Sequence, residues 1–133
     1  MEIPLAPIPL VFAKVKGKRG VRELRAIVSP SSEYTVITNK DALQLGYDVF
    51  ARRGGVSGVL AVTASGIFKA SKVTIDEIGT GECIAKNVDS LCYEIPEPSG
   101  ADLILGKTFL EGFSLEFDYG KKVLRMVQPR ETP

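Results

Sequence analysis

Short apolar runs separated by frequent turn signals most constrain what this chain can fold into. The runs at 11–15, 21–28 and 67–75 are apolar or alternate between apolar and polar residues, which favours strands. Clusters of Gly, Ser, Lys or Arg interrupt them, as at 17–20 and 64–66. Because short strands joined by closely spaced turns are typical of antiparallel sheets, the pattern predicts an all-β barrel or sandwich.

Helical signals are few and short. Residues 39–46 read as a helix that Thr38 or Asn39 would cap and Gly46 would end. A single helical turn is expected at 108–111. Further strands are expected at 34–37, 56–63, 83–88, 103–105, 114–118 and 123–127, with a turn at Gly79-Thr80-Gly81 and a loop at 95–100.

The length of 133 residues suits one domain with its own core. We expect that core at about 11–127, followed by a frayed polar tail at 128–133. The opening segment 1–9 contains Pro4, Pro7 and Pro9, so it is predicted to be an edge strand or an arm.

Composition narrows the function classes. A net charge of +1 without a basic block argues against nucleic acid, and the short apolar runs argue against a membrane span. The expectation is a soluble cytoplasmic protein without a cofactor. The chain has no His, which disfavours a zinc site and Ser–His or Cys–His nucleophiles. Cys83 and Cys92 are expected to be ordinary buried small apolar side chains, although adjacent strands would allow a bridge. Scarce Asn and Gln suggest a thermophilic source.

Two segments carry the chemical information. The first, 27–37, reads Ile-Val-Ser-Pro-Ser-Ser-Glu-Tyr-Thr-Val-Ile, and the second, 101–112, reads Ala-Asp-Leu-Ile-Leu-Gly-Lys-Thr-Phe-Leu-Glu-Gly. Together they resemble the two halves of a retropepsin-like aspartic peptidase subunit. In that family the first segment carries an Asp, a Thr or Ser and a Gly after two apolar residues. Ser29 stands at the Asp position here.

The resemblance covers roughly residues 11–127 and implies a retropepsin-like acid-protease barrel, one lobe per chain, with one or two short helices. It also implies a symmetric homodimer, since two carboxylates must share one proton to activate water. Its partner would be a peptide or protein substrate in a groove at the dimer axis. The terminal strands of both copies are expected to pair at the interface.

Three adjacent departures affect catalysis. Ser29 lacks the carboxylate, Pro30 lacks the hydroxyl that braces the two turns, and Ser31 replaces the Gly that allows close backbone approach. The resemblance therefore implies a homologue of aspartic endopeptidases that is inactive because Ser29 stands at the position of the catalytic Asp. The sequence leaves open whether Ser29 replaced an Asp or belongs to a natural non-peptidase relative; the changes at Pro30 and Ser31 favour the second explanation.

The remaining site residues follow from the family's flap, a hairpin that covers the substrate. Ser32 in the turn and the hairpin tip Thr63-Ala64-Ser65-Gly66 are candidate substrate-binding residues, with an ordinary hairpin turn as the alternative. Asp118-Tyr119-Gly120 has an Asp-x-Gly form, but Lys121 follows it and a plain turn is expected.

Two functions from different classes remain. The first is the peptidase homologue with its water-activating position at Ser29. The second is a non-catalytic peptide-binding or dimerisation module on the same fold, in which an extended peptide adds as a strand. A Ser nucleophile served by a Lys base is disfavoured, because no spacing brings such a Lys to Ser29.

Overall fold

The computed structural model describes residues 2–5, 9–47, 57–63, 66–93, 95 and 100–127. Within these ranges the chain forms ten strands and two short helices. The strands are β1 (Glu2–Pro4), β2 (Leu10–Gly17), β3 (Gly20–Val28), β4 (Thr35–Ile37), β5 (Ser57–Thr63), β6 (Gly66–Thr80), β7 (Cys83–Cys92), β8 (Leu103–Leu105), β9 (Ser114–Asp118) and β10 (Val123–Val127), and the helices are α1 (Asn39–Gln44) and α2 (Lys107–Leu110).

Seven of the strands form one sheet in the order β2-β3-β8-β4-β7-β6-β5. A further pairing between β2 and β6 closes six of them into a barrel, and β5 extends beyond β6. The predicted all-β barrel with one or two short helices is therefore confirmed. Closure leaves few open edges, which is how barrels avoid unwanted strand pairing.

Alternation along several strands explains why the barrel has an apolar interior. On β2, Ala13 and Val15 are fully buried while Lys14 and Lys16 are exposed. The same period-two pattern on β3, β8 and β10 contributes to one large core cluster, which Phe109 of α2 joins. Burying each such aliphatic side chain stabilises the fold by roughly 1.5–3 kcal/mol.

The remaining strands form a three-stranded antiparallel sheet in the order β1-β10-β9. Its inner face joins the core through Ile3, Leu124 and Met126, all fully buried. The start of the chain at 2–4 is thus an edge strand, one of the two expected possibilities. The expected tail 128–133 and residues 96–99 of the expected loop at 95–100 lie outside the described residues.

Strand β6 is longer than expected, which corrects the predicted turn at Gly79-Thr80-Gly81. Gly79 and Thr80 belong to β6, and the turn itself is Gly81-Glu82. Tertiary pairing overrides the local turn signal here, because Gly79 lies opposite Lys14 on β2. The Thr80 hydroxyl also donates a hydrogen bond to the Phe12 carbonyl of the adjacent strand β2, at 3.0 Å.

The two cysteines form no disulfide; both are buried, at opposite ends of the single strand β7. A strand rises about 3.3 Å per residue, so Cys83 and Cys92 lie about 30 Å apart and a bridge between them is excluded. Burial raises the pKa of the Cys92 thiol to about 12. Cys92 is therefore a packed, unreactive side chain.

Helix α1 forms as the sequence predicts, with Thr38 as its cap. The Thr38 hydroxyl accepts from the Asp41 N–H and donates to the Asp41 carboxylate. Asp41 is buried and pairs with Arg22 of β3 at 3.3 Å. Gly46, at φ +93°, lets the chain leave the helix. The ion pair between Asp41 and Arg22 fixes α1 against β3, the strand that leads into the candidate active-site turn.

Candidate active-site turn

The turn at 29–32 joins β3 to β4, and β8 lies between these two strands. Strand β8 pairs parallel with β3, at Val28 opposite Leu105, and antiparallel with β4, at Ile37 opposite Leu103. The segment at 101–112 and the segment at 27–37 are therefore neighbours in the fold. The two segments that carry the resemblance meet at this turn.

Backbone hydrogen bonds hold the turn in place. The Ser29 N–H donates to the Leu105 carbonyl at 3.0 Å, and the Ser32 N–H closes the turn onto the Ser29 carbonyl at 3.1 Å. The Lys107 N–H at the start of α2 donates to the Ser32 carbonyl at 2.8 Å. The turn is thus anchored at both ends by the β8–α2 segment, and its conformation does not depend on a carboxylate at position 29.

Gly106 makes the contact between this segment and the turn possible. A Cβ atom at position 106 would lie 2.2 Å from the Tyr34 carbonyl oxygen and 2.8 Å from that of Ser32. Both obstacles are backbone atoms, which cannot rotate away. The Gly106 that follows Leu105 in the second segment therefore has a steric reason in this chain: only glycine allows β8 to approach the turn so closely.

A buried hydroxyl pair reinforces the same junction. Thr108 Oγ1 accepts from the Thr35 N–H and donates to Thr35 Oγ1, both at 2.9 Å. Thr35 Oγ1 also accepts from the Gly106 N–H at 3.3 Å. Thr35 is fully buried, so each of these groups would be costly to leave unpaired. Sequence reasoning did not single out Thr35 or Thr108, since a Thr in a strand or helical turn is not informative by itself.

The side chains of the turn offer hydroxyls and no carboxylate. Ser29 Oγ lies 3.4 Å from Ser31 Oγ, both at the surface, and Ser32 Oγ donates to the Tyr34 carbonyl at 2.7 Å. The next acidic residue, Glu33, is exposed and pairs with Lys107 Nζ at 3.2 Å. The turn as folded can donate and accept hydrogen bonds, but it holds no group that could serve as a base near neutral pH.

A cavity of about 590 Å³ opens beside the turn. Its apolar lining comes from Pro30, Tyr34, Leu110 and Leu115, and its polar rim includes Lys107 with three acidic residues. Strand β9, through Leu115, thus borders the same depression as the turn. The space is large enough for several side chains of a partner molecule.

An aromatic patch follows the turn directly, and the sequence analysis missed it. Tyr34 and Tyr93, both half-buried, pack against Ala70 and Leu91. The Lys72 ammonium lies 5.6 Å from the Tyr34 ring centroid. Burial raises the pKa of Tyr93. The position of Tyr34 next to the turn was the one signal in the sequence that could have indicated this patch. Ala70 of β6 and Leu91 of β7 reach Tyr34 only because the barrel brings their strands together.

The candidate hairpin residues lie at the end of the β5–β6 ladder. Thr63 ends β5 and faces Gly66, which begins β6. Ala64 and Ser65 lie outside the described residues. The structure thus brings Ser29, Pro30, Ser31 and Ser32 into one turn and places Thr63 opposite Gly66 in a separate hairpin.

The two alternative sites have ordinary structural roles. Asp118 ends β9, where its carboxylate accepts from the Lys121 N–H at 3.0 Å and lies 3.5 Å from an Arg125 nitrogen. These contacts shape the β9–β10 connection, as expected for a plain turn. In the part of the chain that the structure describes, no hydrogen bond joins a Lys to Ser29, whose hydroxyl faces Ser31.

Two further observations on the described residues concern metal binding and membrane-spanning helices. No group of three or more His, Cys, Asp or Glu side chains there is arranged to hold a metal ion. No helix within those ranges has the length and apolar character needed to cross a membrane.

Comparisons with known proteins agree with this geometry. A family profile described as aspartyl protease matches residues 11–109. Among solved structures, a retropepsin-like aspartic protease from Rickettsia conorii is similar, with a TM-score of 0.67 and 20% sequence identity over 95% of this chain and 88% of that chain. At this identity the match shows the fold, and it confirms the retropepsin-like barrel. The search of curated proteins found no match.

Proposed function

Because the chain belongs to the aspartyl protease family, we propose that it is a peptidase homologue that binds an extended peptide at the 29–32 turn without hydrolysing it. The observation that carries the proposal is the state of the turn. The backbone hydrogen bonds that join the turn to Leu105 and Lys107 are formed, while the side chains of the turn contain no carboxylate. The scaffold for the peptide is thus kept and the acid–base group is missing.

The chemistry of the family explains why one residue matters so much. Two carboxylates at a two-fold axis share a proton, so one accepts a proton from water while the other donates to the substrate. A pair of serine hydroxyls cannot do this, because neither ionises in the range where peptidases work. Pro30 adds a second obstacle, since its side chain has no hydroxyl and its nitrogen has no hydrogen to brace a facing turn.

The surroundings of the turn support peptide binding. An extended peptide beneath the β5–β6 hairpin would gain main-chain hydrogen bonds, and its side chains would fill depressions on either side. The patch around Tyr34 and the cavity lined by Pro30 and Leu110 are two such depressions. Position 29 would lie under the middle of the peptide, with Ser32 and the residues Thr63, Ala64, Ser65 and Gly66 as further contacts.

The test compares the native chain with Ser29→Asp. Hydrolysis of a mixed pool of labelled unstructured peptides is followed at mildly acidic pH, where a carboxylate pair works. Binding of the same pool is measured by fluorescence anisotropy. We expect the native chain to bind peptides and leave them intact.

Variants of the aromatic patch give the matched control for binding. Tyr34→Ala should weaken peptide binding, because it removes a ring beside the turn. Phe12→Ala removes an equally large but remote ring, 63% exposed on the outer face of β2, and should leave binding unchanged. Cleavage by the native chain, or equal binding by both variants, would contradict the proposal.

Restored cleavage by Ser29→Asp separates the two readings of the turn. If Ser29→Asp cleaves, the site is a protease lacking only its carboxylate, and Pro30 and Ser31 are tolerated. If it folds, binds peptides and remains inactive, the turn has lost catalysis at more than one residue. Both results are compatible with peptide binding by the native chain, which the anisotropy measurement decides.

A further inference from the structure

We infer that the open edge of β7 at residues 84–86 accepts an extended segment of a partner protein. The segment adds as an antiparallel strand and carries a basic, an acidic and an apolar residue, in that order. The inference goes beyond the proposed function, because this edge lines a groove next to the candidate active-site turn and does not belong to the turn itself.

Strand β7 is paired on both sides only at its end. Strand β6 lies beside β7 from Cys83 to Cys92, whereas β4 pairs in parallel with residues 90–92 alone. Among the described residues, no second strand lies beside residues 84–89. Residues 84–87 also make no backbone hydrogen bond to another described segment outside the β6 ladder. The barrel is therefore open along this part of β7.

The two-residue turn that joins β6 to β7 determines which backbone groups point outward. Thr80 and Cys83 face each other across this turn, and the pair that closes such a turn exchanges backbone hydrogen bonds. Bonded and non-bonded pairs alternate along an antiparallel ladder, so Ala85 bonds to β6. Ile84 and Lys86 then direct their N–H and C=O groups to the open edge. Two complete donor–acceptor pairs are what an added strand requires.

A groove of about 520 Å³ runs along this edge. One of its walls is β7, and the other is the segment 108–113, which includes most of α2. Ile84 on the first wall is 47% exposed, and Phe113 on the second is half-buried. A strand placed between the walls would cover both side chains, which adds a hydrophobic contribution to the edge hydrogen bonds.

Charge is distributed unequally along the groove. Asp89 and Glu111 line both the groove and the cavity beside the turn, so they mark the end of the groove nearest the turn. Lys86 and Ile84 line the groove without lining that cavity. Within the described part of the chain, neither Lys86 nor Glu111 forms an ion pair. Each can therefore pair with an opposite charge on a partner.

These charges select the partner and its direction. Antiparallel pairing is slightly more stable per residue than parallel pairing, and an antiparallel partner would run from Asp89 toward Ile84. Charge complementarity then places a basic side chain near Asp89 and Glu111, and an acidic side chain opposite Lys86. An apolar side chain lies opposite Ile84. Because side chains on one face are two residues apart, a single residue separates the acidic position from the apolar one.

A fluorescent peptide of about eight residues, Ser-Arg-Arg-Glu-Thr-Val-Thr-Ser, is the probe, and fluorescence anisotropy measures its binding to the native chain. Methylating the amide nitrogen of its Glu or its Val should weaken binding at least about tenfold, because these N–H groups donate to β7. Methylating the Thr between them should leave binding unchanged, since that N–H points away from β7. This alternation distinguishes strand addition from other binding in a groove.

A charge exchange tests the register without removing the edge. Lys86→Glu should weaken probe binding about threefold, and a probe with Lys in place of its Glu should regain the loss. Lys14→Glu is the matched control, because Lys14 is exposed on β2 but its strand is paired there with both β3 and β6. It should leave binding unchanged. A probe of reversed sequence should bind at least about threefold more weakly than the original.

Several results would overturn the inference. They are absence of probe binding, equal effects of the three N-methyl groups, no regain after the charge exchange, and a reversed probe that binds as tightly as the original. Binding that Tyr34→Ala abolishes and Lys86→Glu spares would place the probe at the turn instead. Self-association of the native chain that Lys86→Glu abolishes, measured by sedimentation velocity, would assign the edge to a second copy. Because Tyr34→Ala should not affect strand addition at β7, failure here and failure of the proposed function are distinguishable.

Discussion

Replacing Gly106 by alanine tests the junction between the turn and the β8–α2 segment. The new Cβ would lie 2.2 Å from the Tyr34 carbonyl oxygen, 2.6 Å from its carbon and 2.8 Å from the Ser32 oxygen. Real Cβ atoms do not approach so closely, so either the turn or β8 must move. Because all three obstacles are backbone atoms, no side-chain rotation can relieve the clash.

The magnitude follows from two contributions. Overpacking in a well-packed region costs about 1–3 kcal/mol. Separating the segments also weakens the 2.8 Å bond from the Lys107 N–H to Ser32, and losing a hydrogen bond of this kind costs about 1 kcal/mol. We therefore expect Gly106→Ala to lower the free energy of unfolding by about 3 kcal/mol.

Gly112 offers a matched control at the other end of α2. A Cβ at position 112 would meet no atom within 4 Å. Gly112→Ala should therefore change stability by no more than about 1 kcal/mol, with a slight gain from the less flexible unfolded chain. The assay is urea unfolding followed by far-ultraviolet circular dichroism. A Gly106→Ala protein as stable as Gly112→Ala would refute the claim that close backbone approach builds this site.

Three further predictions concern the core. Thr108→Val should cost about 2 kcal/mol in urea unfolding, because it leaves the buried Thr35 N–H without an acceptor, whereas Thr108→Ser should cost less. Burial raises the pKa of Tyr47 to about 12, above its value of about 10 in unfolded chains. The contribution of neutral Tyr47 to the free energy of unfolding should thus be complete below about pH 10 and lost as pH rises toward 12. Tyr47→Phe should flatten the curve of unfolding free energy against pH in this range. An unchanged curve would contradict the raised pKa of Tyr47. Since Cys83 and Cys92 cannot bridge, a reductant should leave the melting temperature of freshly purified protein unchanged.

Much of the fold could be predicted from local pattern. Alternation on β2 indicated which residues face the core, and Thr38 and Gly46 marked the ends of α1. The lengths of β6 and β7 could not be predicted, because pairing with β2 extends β6 through Gly79 despite its turn-like sequence. Local propensity is weak where a neighbouring strand supplies the hydrogen bonds.

Part of the candidate site could also be predicted. Ser29, Pro30 and Ser31 lie consecutively, so any turn through them brings them together, and the absence of a carboxylate among them is visible without coordinates. The patch around Tyr34 and the pair Thr35–Thr108 were missed, because their partners lie far away along the chain.

The sequence by itself determined the chemical groups of this protein: an all-β chain of the aspartyl protease family whose segment 29–32 carries hydroxyls and no carboxylate. Side-chain identity is written residue by residue, so the absent carboxylate needs no fold to be seen. Only the tertiary structure decided what supports that turn and what surrounds it. The close approach of Gly106 to the Tyr34 carbonyl and the cavity that Pro30 shares with Leu115 depend on distances between segments far apart in the chain. Such distances are set by barrel closure and strand register, which no local pattern encodes.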